Sequence, residues 1–155
     1  MNRLMALGFL VLLACGEPGP VPIAYGTVEC THCHMTVADA RYGAELVTIR
    51  NKVLVFDDPG CLALYLASKE LDTDEVHSLW VYDFLQPDSL LDVHAAVFLR
   101  SDSLRTPMNT RLAALRPGPA ADSLIRTMGG ERLTWAQVQA SASEHVHQQS
   151  AKRGT

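Results

Sequence analysis

Apolar residues gather first in one run at positions 4–14, behind the short basic start Met1-Asn2-Arg3, and then recur in shorter blocks. The first run is too short to span a bilayer and reads as a signal peptide over residues 1–14. At residues 43–50 the sequence Gly-Ala-Glu-Leu-Val-Thr-Ile-Arg is rich in β-formers, Asn51-Lys52 offers a turn, and residues 53–56 are a second apolar run. Together they predict a β-hairpin. Asp57-Asp58-Pro59 then supplies an N-cap and a proline suited to the first helical position. Leu62, Leu64, Tyr65 and Leu66 carry a helix to about Lys69, with Cys61 in its first turn. Residues 79–84 and 93–100 predict two further strands, a second hairpin or neighbouring pair, separated by a loop at Gln86-Pro87-Asp88-Ser89.

A proline loop at residues 106–109, a helix at 120–128, a turn at Gly129-Gly130 and a last helix from Thr134 towards His147 complete the pattern. Thr134 and Gln137 have capping-box spacing. The order of elements predicts an α+β fold of mainly antiparallel strands with flanking helices. Each half reads as a strand pair followed by a helix, which allows two similar ββα-type halves in one compact domain over residues 27–148. Residues 149–155 are polar and expected to fray.

Composition narrows the class. The 155-residue chain has a formal net charge of −4 and no run of Lys and Arg, which argues against nucleic acid as a partner, because phosphate contacts supply most of that affinity. The apolar run ends Leu12-Leu13-Ala14-Cys15, which resembles the lipobox of bacterial lipoproteins. That reading makes Cys15 the lipid-bearing residue and residues 15–26 a lipidated start and a Gly- and Pro-rich tether. The expected location is the cell envelope, anchored to a membrane and facing the periplasm or the cell exterior. Cys30, Cys33 and Cys61 remain, an odd number in a compartment that favours disulfides.

The strongest chemical signal is Cys30-Thr31-His32-Cys33-His34-Met35, two thiols and a thioether within six residues. Such soft donors favour Cu(I). A Cys30–Cys33 disulfide or a thioredoxin-like redox pair is the alternative, but the motif follows a tether where a redox pair should follow a strand and open a helix. Met35 and Met108 are ligand candidates or gap-filling core residues. His32 and His34 are candidates for a divalent ion or solvated loop residues, and Cys61 is a third thiolate or a small buried hydrophobe. Asp57 and Asp58 read as a helix cap and first-turn charge, and His145 and His147 as surface residues. No phosphate loop, Gly-x-Ser-x-Gly elbow or His-Glu-x-x-His pair points to an enzyme.

The chain resembles the NosL-type accessory lipoproteins of nitrous oxide reductase, which are periplasmic copper chaperones. The resemblance is carried by the lipobox at Cys15, Cys30-x-x-Cys33-x-Met35, Phe56-Asp57-Asp58 leading to Cys61, and Val81-Tyr82-Asp83. The strand at residues 95–99, Thr106-Pro107-Met108 and Gly129-Gly130 extend it. Where the family usually has glycine, after the second Cys and after Pro-Met, this chain has His34 and Asn109. The resemblance implies two similar halves, Cu(I) held by Cys30, Cys33, Met35 and Met108, with Cys61 and His34 as weaker candidates. It also implies delivery to a copper enzyme such as nitrous oxide reductase and its maturation machinery.

Overall fold

The computed structural model describes residues 17–153. Strands β1 (Ala44–Thr48) and β2 (Val53–Phe56) form the expected antiparallel hairpin, with Ala44 opposite Phe56. Its turn places Asn51 in the left-handed region at φ 59°, which a short polar side chain tolerates. Helix α1 (Pro59–Ser68) begins at Asp58, whose Oδ1 accepts from the backbone N–H of Cys61 at 2.9 Å. Lys69 ends it in a left-handed conformation.

Strand β3 (Val76–Asp83) returns beside β1, and β4 (Gln86–Asp92) closes a four-stranded antiparallel sheet of order β2-β1-β3-β4. The loop expected at residues 86–89 is therefore strand, and the chain reverses at Phe84 and Leu85 instead. Pro87 is tolerated because β4 is an edge strand, where a missing N–H can face away from the ladder.

The second half holds β5 (Val97–Arg100), β6 (Leu112–Leu115), α2 (Pro119–Met128), β7 (Glu131–Leu133) and α3 (Trp135–Arg153). Its three strands form an antiparallel sheet of order β6-β5-β7. Strands β3 and β5, expected as neighbours, lie in different sheets. Residues 93–96 form a turn in which Asp92 accepts from the backbone N–H groups of His94, Ala95 and Ala96. The two halves share one plan: a central first strand, an antiparallel second strand, a helix, and a third strand on the other side of the first. The repeat is thus ββαβ, extended by β4 in one half and α3 in the other.

A backbone bond from Phe84 N–H to the Ala114 carbonyl, 2.9 Å, ties the sheets together, and α1 packs on α3. The capping box at α3 is present: Gln137 Oε1 accepts from Thr134 N–H at 2.8 Å, and Thr134 Oγ1 accepts from Gln137 N–H at 3.4 Å. The helix continues to Arg153, beyond the His147 expected from the sequence. Residues 21–26, expected as tether, pack on the first sheet. Val21 N–H donates to Glu45 Oε2 at 2.9 Å, Ile23 is buried, and a Cβ on Gly43 would meet the Tyr25 hydroxyl at 2.6 Å. No described helix is long and apolar enough to cross a membrane.

Candidate metal centre

The segment from Cys30 to Met35 folds into a closed loop. Cys30 N–H donates to the Met35 carbonyl at 2.8 Å, His34 N–H donates to the Cys30 carbonyl at 2.9 Å, and Glu29 bridges Thr36. The loop needs a left-handed residue to close, and His34 supplies it at φ 61°. Asn109 in the loop before β6 has φ 55°. The two positions that depart from glycine are therefore both left-handed, and His and Asn are among the residues enriched there.

Thr31 N–H donates to the Val55 carbonyl at 2.8 Å and fixes the loop against the end of β2. This brings Cys30 and Cys33 to the point where β2 passes into α1. There the ligand atoms of Cys30, Cys33, Asp57 and Cys61 all lie within 4.8 Å of one another. Cys30, Cys61 and Asp57 are buried, and Cys33 is partly exposed. The three thiols are free.

Electrostatics divides the thiols. Cys30 is pulled down to about 6, chiefly because the Cys61 thiol donates to it, with backbone N–H groups of Cys33, Asp57 and His32 adding to the effect. Cys61 is pushed well above the usual thiol range by that same donation and by burial. Burial is also the main reason Cys33 is pushed up to about 12, and its Sγ lies 3.4 Å from Asp57 Oδ2 as a donor. The other carboxylate oxygen, Asp57 Oδ1, is buried without a hydrogen-bond partner. Such a group costs roughly 1–3 kcal/mol or more if nothing compensates it.

Asp57 is the member that the sequence reading missed. Only one of two consecutive aspartates can cap α1, and Asp58 does so. Its neighbour is free to face the sulfurs. Asp58 has further work: Oδ2 accepts from Thr110 Oγ1 at 2.8 Å, and the carboxylate also takes the backbone N–H of Met108. Gly60 lets the loop come this close, since a Cβ there would stand 2.4 Å from Thr110 Cγ2.

The remaining candidates are the two thioethers and the histidines. Met35 is 49% exposed and His34 is exposed beside it. Met108, 37% exposed, lines a cleft of about 610 Å³ between α1 and α3 together with His32 and His145. His32 Nδ1 is buried there without a hydrogen-bond partner. His145, read from sequence as a plain surface residue, borders that cleft because α1 packs on α3, a contact that no local pattern reveals. Cys15 lies outside the described residues.

Residues 20–143 match the NosL family model. Comparison with curated proteins finds no match. Among solved structures, the fold is similar to that of the copper chaperone NosL from Shewanella denitrificans. The TM-score is 0.64 at 20% identity, covering 76% of this chain and 93% of that one. The match over most of the length shows that the chain belongs to the NosL family.

Proposed function

We propose that this protein carries Cu(I) in the cell envelope, anchored through lipid on Cys15, and delivers it to a recipient copper enzyme, nitrous oxide reductase in the first instance. The observation that carries the reading is the convergence of three thiols from two distant segments on one point within 4.8 Å. Soft thiolates select Cu(I). Cys30 offers a thiolate at neutral pH, and Cys33 is the thiol with access to solvent. The exposed thioether of Met35, two residues from Cys33, is a place for the ion to step outward. Met108, across the short loop tied to Asp58, is a second. Transfer then proceeds by exchange of one ligand at a time.

A thiol–disulfide oxidoreductase using Cys30 and Cys33 is the rival. It requires an accessible low-pKa thiol to attack a partner. Here the low-pKa thiol, Cys30, is fully buried, and the accessible one, Cys33, holds its proton. Metal binding suits this arrangement better than exchange does.

The test is anaerobic Cu(I) titration under reducing conditions against a competing chelator, with the Cys30→Ser/Cys33→Ser double variant alongside. Tight one-to-one binding lost in the variant is expected, and equal affinity in both overturns the assignment. Binding to Cys33 must expel its proton, so Cu(I) affinity rises with pH through the neutral range. The dependence steepens below about 6, where Cys30 also becomes protonated.

A further inference from the structure

Carboxylates are kept out of the cleft between α1 and α3. Residues 17–96 hold 13 Asp and Glu against 4 Lys and Arg, whereas residues 97–153 hold 4 against 8. The cleft, about 610 Å³, draws on both stretches, yet no Asp or Glu is among the described residues that line it. Arg100, His32 and His145 are, with Ser141, Asn109 and Gln149 as neutral hydrogen-bonding groups. Two carboxylates stand just behind the lining. Glu131 Oε2 is 3.7 Å from Arg100 Nη1 in an exposed pair, and Glu70 accepts from the Ser68 hydroxyl at 3.0 Å. Exposed pairs of that kind are weak and readily exchanged. Arg100, held by its other amino group on Ser141 Oγ at 3.0 Å, is thus a placed donor for an incoming carboxylate.

The walls are apolar and long. Val138, Ala142 and Val146 follow one another at helical spacing along α3, Ala63 and Leu64 line the α1 side, and Leu112 opens β6 beside them. From Val138 to Ser150 the α3 wall runs about 18 Å, a length that a compact solute would fill only in part. Met108 and Thr110 border the cleft where α1 begins, since Thr110 lies against Gly60. His32 Nδ1, buried there without a hydrogen-bond partner, can be satisfied by one or other half of a peptide group, whichever tautomer the ring holds. We infer that this cleft binds an extended acidic segment of a partner protein, about five residues long, with apolar side chains on the walls and a carboxylate at Arg100. Seated so, the segment lies beside Met108 and holds the partner at the rim of the thiol loop, and docking and ion transfer share one surface. That consequence rests on the copper-carrier reading; the ligand class of the cleft does not.

The test is titration calorimetry and amide NMR of the purified, reduced, metal-free protein. The probes are an end-capped pentapeptide alternating Leu and Glu, its Leu/Lys counterpart, and glutarate as a compact dicarboxylate. Expected is binding of the Glu peptide about 10-fold or more tighter than the Lys peptide, weakened by salt, with shifted amides on α1, on α3 and at residues 108–112. Arg100→Gln and the double variant Gln149→Glu/Ser150→Glu should each weaken it by about fivefold or more. The double variant changes exposed positions only, so its urea midpoint should stay at the wild-type value. No binding, equal binding of the two peptides, or shifts elsewhere overturns the inference. So does glutarate binding as tightly as the Glu peptide, or undiminished binding by the double variant. Cu(I) titration of the wild type separates the two readings: copper binding without peptide binding keeps the carrier and removes the docking cleft, and peptide binding without copper binding does the reverse.

Discussion

Replacing Asp58 with Ala tests how the candidate metal centre is built into the fold. Asp58 is fully buried, caps α1 through Cys61 N–H, and accepts from Thr110 Oγ1 and Met108 N–H. Loss of an N-cap costs about 1 kcal/mol, and a buried donor left without its acceptor costs roughly 1–3 kcal/mol. Burial raises the Asp58 pKa, so its ionised form is itself costly and part of the loss is offset. The net expectation is about 2–4 kcal/mol, a large share of the 5–15 kcal/mol typical of a domain. Asp58→Asn keeps a capping oxygen and presents an amide that the Thr110 hydroxyl can accept from, so it should cost about 1 kcal/mol. Urea unfolding of the reduced protein measures both. Labelling of buried Cys61 by a thiol reagent gives a second readout, since a frayed first turn exposes it. A loss under about 0.5 kcal/mol for Ala, or equal losses for Ala and Asn, would refute the view that Asp58 joins the helix start to the Met108 loop.

Three further expectations follow from the same geometry. Gly60→Ala drives a methyl into Thr110 and should destabilise by about 1–3 kcal/mol in denaturant unfolding, where a neutral result contradicts the close approach. His34→Gly should stay within about 1 kcal/mol of wild type while His34→Val, β-branched at φ 61°, loses more than that; equal stability of the two denies the left-handed turn. Glu45 is buried and its pKa is raised by desolvation. Its titration favours folding below the unfolded value of about 4.3 and that contribution is lost as pH rises through the folded value. Glu45→Gln should therefore gain on wild type in urea midpoints as pH rises from about 4, and a constant difference contradicts this.

Local pattern carried the first hairpin, α1 with its cap, and the α3 capping box, because strong β-formers, Asp-Pro and Thr-x-x-Gln act over a few residues. It failed at β6, whose Leu-Ala-Ala-Leu is short and poor in β-formers, and at three-residue β7, both held by pairing with β5. It misplaced β4 because Pro87 signals a loop unless the strand is known to be an edge. At the candidate metal centre, Cys-x-x-Cys announced two thiols. Cys61 and Asp57 joined them only through the Thr31–Val55 backbone bond, a tertiary contact. Two aspartates before a proline were a usable hint, since a helix start needs one.

The Val21–Glu45 bond also sets a leash. With lipid on Cys15 as proposed, six residue steps separate the anchor from the first fixed point on β1, and a fully extended chain spans about 20 Å over that distance. The domain then works within a thin shell above the bilayer, and any recipient must bring its own site down into that shell. Releasing the clasp would let out the chain as far as Gly26, nearly doubling the reach and diluting the carrier relative to a partner held at the same surface.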